Sequence, residues 1–232
     1  MKVLVIDVGG TNVKLIATDQ EVRRFESGRD LTPEDFVAQV GEIAHDWEFD
    51  VVSIGLPTVV GASGPFREPV NLGDGWVGFD FRKAFGKPVR VVNDAVLQAL
   101  GGYEGGRMLF LGLGIGLGTA LISEHVAIPL ELGCLLSTNG QPIHERLGKQ
   151  GLETLGEKAW VQAVHEAVGQ LQRAYVADYI LLGGGKAERV DPLPRPARRG
   201  GNEDALRGGF MLWEEQIIPH DRQVAETWRV IR

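Results

Sequence analysis

Cysteine is almost missing from this chain of 232 residues; Cys134 stands alone. A single thiol forms no internal disulfide and no Cys-x-x-Cys metal site, so a reducing compartment, the cytoplasm, is the expected location. Long apolar runs are missing as well. No stretch of about 18 apolar residues occurs, and no membrane span is expected. The amino terminus opens on MKVLVID, a strand pattern rather than a cleavable leader. Positive charge is scarce. The 31 acidic residues outnumber 24 basic ones, for a net charge of -7, which argues against a nucleic-acid partner. The familiar nucleotide and hydrolase signatures also fail. There is no G-x-x-x-x-G-K-[ST], no H-E-x-x-H and no G-x-S-x-G, and Gly112-Leu113-Gly114 is not completed by a glycine at 117.

Glycine, by contrast, is abundant, with 32 residues. It concentrates at two bends of the same plan. VIDVGGTNVKLIA, residues 5–17, reads as strand, glycine turn, Thr and strand, and RMLFLGLGIGLGTALI, residues 107–122, repeats it. Gly9 and Gly10 let backbone N–H groups approach an anion, Thr11 adds a hydroxyl and Lys14 a cation. Asp7 would repel a bare phosphate, and its presence makes sense with a Mg²⁺ ion or its water shell between them. Gly112, Gly114, Gly116 and Gly118, with Thr119, form a second cradle. A tight hairpin alone accounts for either turn. Two such turns, each followed by Thr, are the arrangement expected to grip a phosphate chain from both sides.

The remaining pattern alternates helices and strands. Thr32, Pro33, Glu34 and Asp35 signal a helix start. Residues 50–55 and 89–92 read as strands and 55–80 as a long loop. Asn93-Asp94 closes the second of those strands, and a helix follows at 95–100. Apolar residues from Leu152 to Tyr175 predict one amphipathic helix. A strand at 179–182 ends in Gly183, Gly184 and Gly185, and 205–217 reads as a closing helix. This alternation, with two hairpins inside it, predicts an α/β fold with mixed sheets. The expected division is an N-terminal lobe over 1–106, completed by 205–232, and a C-terminal lobe over 107–204, facing a central cleft. Asp94 lies at the carboxyl end of a strand, where α/β folds place ligands. It suits a helix cap and also a general base that takes a hydroxyl proton during phosphoryl transfer. The basic run Arg195, Arg198 and Arg199 reads as a solvated loop that would also suit a polyanion. His125, His144 and His165 are expected to carry no functional role.

Together DVGGT, VND, GLGIGLGT and LLGGG follow the order of the sugar kinase and actin superfold, whose lobes are ribonuclease-H-like. More narrowly, the chain resembles the ROK family of sugar kinases. Gly55-Leu56-Pro57, Pro69-Val70-Asn71-Leu72 and Trp76 resemble its sugar loop, and Glu131-Leu132-Gly133 its Glu-(Ile/Leu)-Gly-His motif. LGKQGLETLG and ADYILLGGGKAERVDPLP followed by GGFMLWEE are similar to the polyphosphate glucokinase branch. The resemblance implies a kinase that moves a phosphoryl group from polyphosphate or ATP to the 6-hydroxyl of glucose or a related hexose. It implies Mg²⁺ as cofactor, a homodimer, Asp94 as base, and Asn71, Asn93, Asp94 and Glu131 on the sugar. The glycine turns with Asp7, Thr11, Lys14 and Thr119 would hold phosphates, and Gly183–Gly185 the nucleotide or polyphosphate. No structural zinc is implied, because the Cys-rich zinc motif is missing. Cys134 stands where the family has His, and a thiol is a weak donor to a sugar hydroxyl. A catalytically weak sugar sensor is the alternative this departure raises.

Overall fold

In the computed structural model the first hairpin forms as read. β1 (Val3–Val8) and β2 (Asn12–Ala17) pair antiparallel with Asp7 opposite Lys14. The structure describes residues 1–214 except 62, 125, 138, 139 and 202, and the backbone of 217–220 and 227–230. His125 thus lies outside the described residues.

β3 (Arg23–Glu26) adds to β2, and α1 (Pro33–Ile43) starts at Thr32, whose hydroxyl accepts from the Asp35 N–H at 3.2 Å. β4 (Val51–Leu56) is buried along its whole length and lies parallel to β1. The long loop after it contains a small ribbon, β5 (Val60–Gly61) with β6 (Gly64–Pro65). α2 (Phe81–Phe85) then leads to β7 (Val89–Asn93), parallel to β4, and α3 (Asp94–Gly101) follows without a break.

The second hairpin is β8 (Met108–Leu113) with β9 (Leu117–Ser123), extended by β10 (Val126–Leu130). A single turn of 3₁₀ helix at Leu132–Cys134 and the short α4 (Ile143–Leu147) follow. The helix expected over 152–175 is two helices, α5 (Lys149–Leu155) and α6 (Glu157–Tyr175). Gly156 divides them with φ +74°, a left-handed value that glycine reaches without steric cost. β11 (Tyr179–Gly183), β12 (Ala197–Arg199), α7 (Asp204–Met211), β13 (Ile217–His220) and β14 (Thr227–Val230) complete the chain's elements.

Two mixed sheets result. One runs β3-β2-β1-β4-β7 and the other β12-β11-β8-β9-β10-β14-β13. Five strands of the second, β10-β9-β8-β11-β12, repeat the order and directions of the first: two antiparallel neighbours on one side of the first strand, two parallel ones on the other. The internal echo seen in the two glycine hairpins therefore extends through both sheets. The tail is shared between the halves. α7 packs on β1, where a Cβ on Gly209 would stand 2.1 Å from Val5 Cγ1. Ser53 fastens its end by donating to the Gly209 carbonyl and accepting from Trp213 Nε1. β14 instead pairs with β10 in the second sheet. The expectation that all of 205–232 completes the first half is corrected accordingly: α7 packs on β1, whereas β14 and β13 extend the second sheet from β10.

α3 is the hinge of this architecture. Its Ala95, Val96, Leu97, Ala99 and Leu100 are buried, and it meets strands of both sheets. Glycine makes the crossing with α7 close, since a Cβ on Gly208 would lie 1.9 Å from the Leu97 carbonyl oxygen. Among the described residues no helix is long and apolar enough to cross a membrane.

Candidate active site

Where β7 turns into α3, Asn93 is the N-cap. Its Oδ1 accepts from the Ala95 N–H at 3.0 Å and its Nδ2 donates to the Thr58 carbonyl at 2.9 Å. Both ends of the buried amide are engaged, so Asn93 holds the loop and the helix start, with one N–H and one lone pair of the amide left over. The capping role expected of Asp94 belongs to Asn93, and Asp94 is the first residue of the helix proper.

One Asp94 oxygen accepts from the Ala95 N–H at 2.8 Å. Burial is the main influence on this carboxyl, and the charges of Asp7 and Glu131 add to it. Together they push it up to about 8. Asp7, at the end of β1, is pushed up to about 6 by burial, partly offset by Lys14 across the hairpin. Glu131 is raised by burial and lowered by Arg67 and His144. Asp94, at the start of α3, thus senses two acids from other elements. Asp7 and Asp94 are hard oxygen donors held back from ionising; among the described residues no group of three or more His, Cys, Asp or Glu side chains could hold a metal ion by itself, so a Mg²⁺ ion here would need donor phosphates or water to complete its shell.

The glycine turns face each other above these acids. A Cβ on Gly10 would stand 2.6 Å from Ile115 Cδ1 and 3.4 Å from Asn71 Cβ. The first turn, the tip of the second turn and the sugar-loop Asn71 therefore meet at one point. Ser27 Oγ pins the first turn by donating to the Gly9 carbonyl at 2.6 Å, and Thr11 is exposed. The second cradle is smaller than expected. Gly112 and Gly118 oppose each other in the β8–β9 ladder, below the turn. A Cβ on Gly118 would meet Ala95 Cβ at 3.2 Å, and one on Gly112 would meet Phe110 at 2.9 Å. They are glycine for close packing. Gly114 and Gly116 make the turn itself, closed by Gly114 N–H to the Gly116 carbonyl at 3.1 Å.

Thr119 is likewise corrected. It is buried, and its hydroxyl donates to the Leu130 carbonyl at 2.7 Å and accepts from the Leu132 N–H at 3.1 Å. It grips both sides of Glu131 and has no hydroxyl to spare for phosphate. Trp76 does not present a ring to ligand either. It is fully buried, with Phe36 and Phe81 centroids at 5.5 and 6.3 Å.

The Gly183–Gly185 turn docks under the second glycine turn. Gly184, at φ +78°, comes so close that a Cβ would lie 2.6 Å from the Leu113 carbonyl oxygen. The Gly183 position is filled by Phe110 and Gln98, whereas Gly185 opens onto free space. Lys186, which the sequence places with Arg189 just upstream of the basic run, stands here. Lys186 donates from Nζ to the Gly114 carbonyl at 2.7 Å. Burial and the charges of Lys149 and Arg189 hold its ammonium below the ordinary lysine value. Three cations thus lie beside the second turn, two of them already paired: Lys149 with Glu153 at 3.8 Å and Arg189 with Glu157 at 3.3 Å. The expected basic run is spent elsewhere: Arg198 pairs with Glu104 and lies over Tyr179, and Arg199 donates to the Val190 carbonyl.

No family model matches the chain, and no curated relative matches it. Solved structures do. An inorganic polyphosphate/ATP-glucomannokinase from Arthrobacter sp. strain KM is 22% identical with a TM-score of 0.77, covering 90% of this chain and 97% of its own. A ROK family glucokinase from Streptomyces griseus, solved with glucose and AMPPNP, is 15% identical with a TM-score of 0.69, covering 91% and 99%. A glucokinase from Balamuthia mandrillaris, solved with glucose, is 11% identical with a TM-score of 0.69, covering 91% and 93%. The chain has the fold of the ROK family sugar kinases.

Proposed function

We propose that this protein is a ROK-type sugar kinase that transfers a terminal phosphoryl group from polyphosphate or ATP to the 6-hydroxyl of glucose or a related hexose. The observation that carries the reading is the meeting of the Gly10 and Ile115 turns with Asn71, over the acids Asp7, Asp94 and Glu131. Neither turn alone asks for phosphate; two turns closing on a half-buried carboxyl do. In this reading 1–106 and 107–204 are two ribonuclease-H-like lobes around a cleft, as in actin-like ATPases. The protein works in the cytoplasm as a homodimer.

Asn71 and Glu131 hold sugar hydroxyls on either side of the cleft. Asp94 accepts the 6-hydroxyl proton as the oxygen attacks phosphorus, while the bond from phosphorus to the bridging oxygen of the donor breaks. Burial leaves Asp94 a stronger base than a solvated aspartate, which suits that task. Gly9, Gly10, Thr11, Lys14, Gly114 and Gly116 supply donors to the phosphates. Gly185 leaves room for the rest of the donor, next to Lys186, Lys149 and Arg189. Asp7 would hold Mg²⁺ through water, and the bound ion would supply charge neutralisation at the donor phosphates. A coupled assay for hexose 6-phosphate with polyphosphate and ATP in parallel tests the reading. Turnover that disappears in Asp94→Asn is the expected result; no turnover with any hexose and either donor overturns it.

A further inference from the structure

Resting on the sugar-kinase reading above, we infer that His144 is a sugar-binding residue, supplying from α4 the imidazole that the chain lacks at Cys134. The backbone carries the argument. α4 packs its first turn against the segment that holds Glu131, and a Cβ on Gly133 would stand 2.9 Å from His144 Cβ. The same His144 Cβ lies 3.9 Å from the Cβ position of Gly116 in the second phosphate turn. His144 therefore sits between the residue assigned to sugar hydroxyls and the turn assigned to phosphate.

Its ring is held in one orientation. His144 Nδ1 lies 2.9 Å from the Gly133 carbonyl oxygen. A carbonyl only accepts, so Nδ1 carries the hydrogen. In the neutral ring Nε2 is then a bare acceptor, and among the described residues it has no hydrogen-bond partner. Its neighbour is Glu131, whose carboxyl is lowered by the charges of Arg67 and His144 and in turn acts on Asp94. A half-buried imidazole with a fixed tautomer and a vacant acceptor beside a carboxylate is arranged to take a hydroxyl hydrogen. Vicinal hydroxyls of a hexose offer one to Glu131 and the next to His144. Cys134, by contrast, is exposed. The departure that raised the sensor alternative is compensated within the same site.

The test separates this role from a merely structural one by which ring nitrogen is kept. His144→Asn places an amide N–H where Nδ1 stands and removes Nε2. His144→Gln places a polar group near Nε2 and gives up the contact to Gly133. Isothermal titration with glucose and a panel of hexoses, without any donor, is the readout. In a sugar-ligand role His144→Asn weakens hexose binding by roughly fivefold to tenfold and His144→Gln retains more of it. The reverse order, or equal affinity in all three proteins, overturns the inference. If the wild-type protein binds no hexose at all, the sugar-kinase reading fails, and this inference with it. A measurement on the unaltered protein stands beside the variants: the His144 ring nitrogen resonances shift when hexose is added, and unmoved resonances overturn the proposal even if a variant fails to fold.

Discussion

The charge of Asp7, at the end of β1, reaches Asp94, at the start of α3, and adds to the burial that holds the Asp94 carboxyl at about 8. The two strands that carry them are separated by β4, so the pair is a product of topology. A base that must be ionised works only above its pKa. The expected kcat/KM profile therefore rises with pH through a midpoint near 8 and levels off above it, and saturating Mg²⁺ moves the rise to lower pH, because a cation favours both carboxylates. Stability has the opposite sign. The folded state keeps the Asp94 proton that an unfolded Asp loses near 4, so stability falls as pH rises from about 4 to about 8. Asp94→Asn removes its own share of that dependence and leaves the smaller fall between about 4 and 6 that comes from Asp7. It is expected to lose at least about 100-fold in kcat and, at pH 8, to gain roughly 2–4 °C in melting temperature. Thermal melts at several pH values alongside the coupled assay check both; a pH-independent wild-type melt between 4 and 8 contradicts the assignment.

Adjacent glycines at the end of β11 make opposite predictions. Gly184 has φ +78°, and a Cβ there would collide with Leu113 backbone atoms. Gly184→Ala is therefore expected to cost about 2 kcal/mol or more, seen as a lower urea midpoint. Gly185 meets nothing within 4 Å. Gly185→Ala is expected to leave the midpoint unchanged and to raise the donor KM, because its methyl group enters the space assigned to the donor. Unaltered donor KM in that variant places the donor elsewhere.

Strong local signals in the sequence carried most of the fold. The two hairpins, the capped α1 and the strand ending at Asn93-Asp94 are written in turn chemistry and apolar runs, and they form where expected. What failed depended on distant packing. Thr119 reads as a phosphate donor beside a glycine turn, but its partners Leu130 and Leu132 arrive from the next strand. Gly112 and Gly118 read as one cradle with Gly114 and Gly116, yet α3 and Phe110 claim their space. The break at Gly156 was visible as a glycine inside a periodic run, a residue that weakens any helix it interrupts. His144 carried no local signal and Lys186 only that of a basic stretch; the tertiary placement of α4 and of the turn after β11 brings them to the site.

Trp76 belongs to the core. It is wholly buried against Phe36 and Phe81, so Trp76→Ala is expected to cost about 3–5 kcal/mol of stability. Chemical denaturation measures that loss. Trp76→Phe keeps most of the packing and is expected to bind hexose as the wild type does in calorimetry. A selective loss of sugar affinity in the Phe variant, with stability retained, would return the ring to the site.

Lys186 and Arg198 divide two routes for a polyanionic donor. The Lys186 ammonium is half-buried, rests on the Gly114 carbonyl, and is crowded by Lys149 and Arg189. Glu153 and Glu157 pair with Lys149 and Arg189, but the Lys186 ammonium itself has only a carbonyl partner and stays below the ordinary lysine value, a state that an anion beside it would relieve. Arg198 is already paired with Glu104 and stacked on Tyr179. Lys186→Met keeps the apolar stem and removes the charge. It is expected to raise the donor KM by roughly 10-fold to 100-fold, the range of a charge-assisted hydrogen bond, with little change in sugar affinity. Arg198→Met is expected to stay within about twofold for both substrates, as exposed pairs usually do. Donor KM measured across a salt series sharpens the comparison. Screening weakens each remaining charge contact, so the Lys186 variant loses part of the salt dependence and the Arg198 variant keeps all of it. If Arg198→Met carries the larger donor defect, the phosphate chain runs along the β12 edge and not past the second glycine turn.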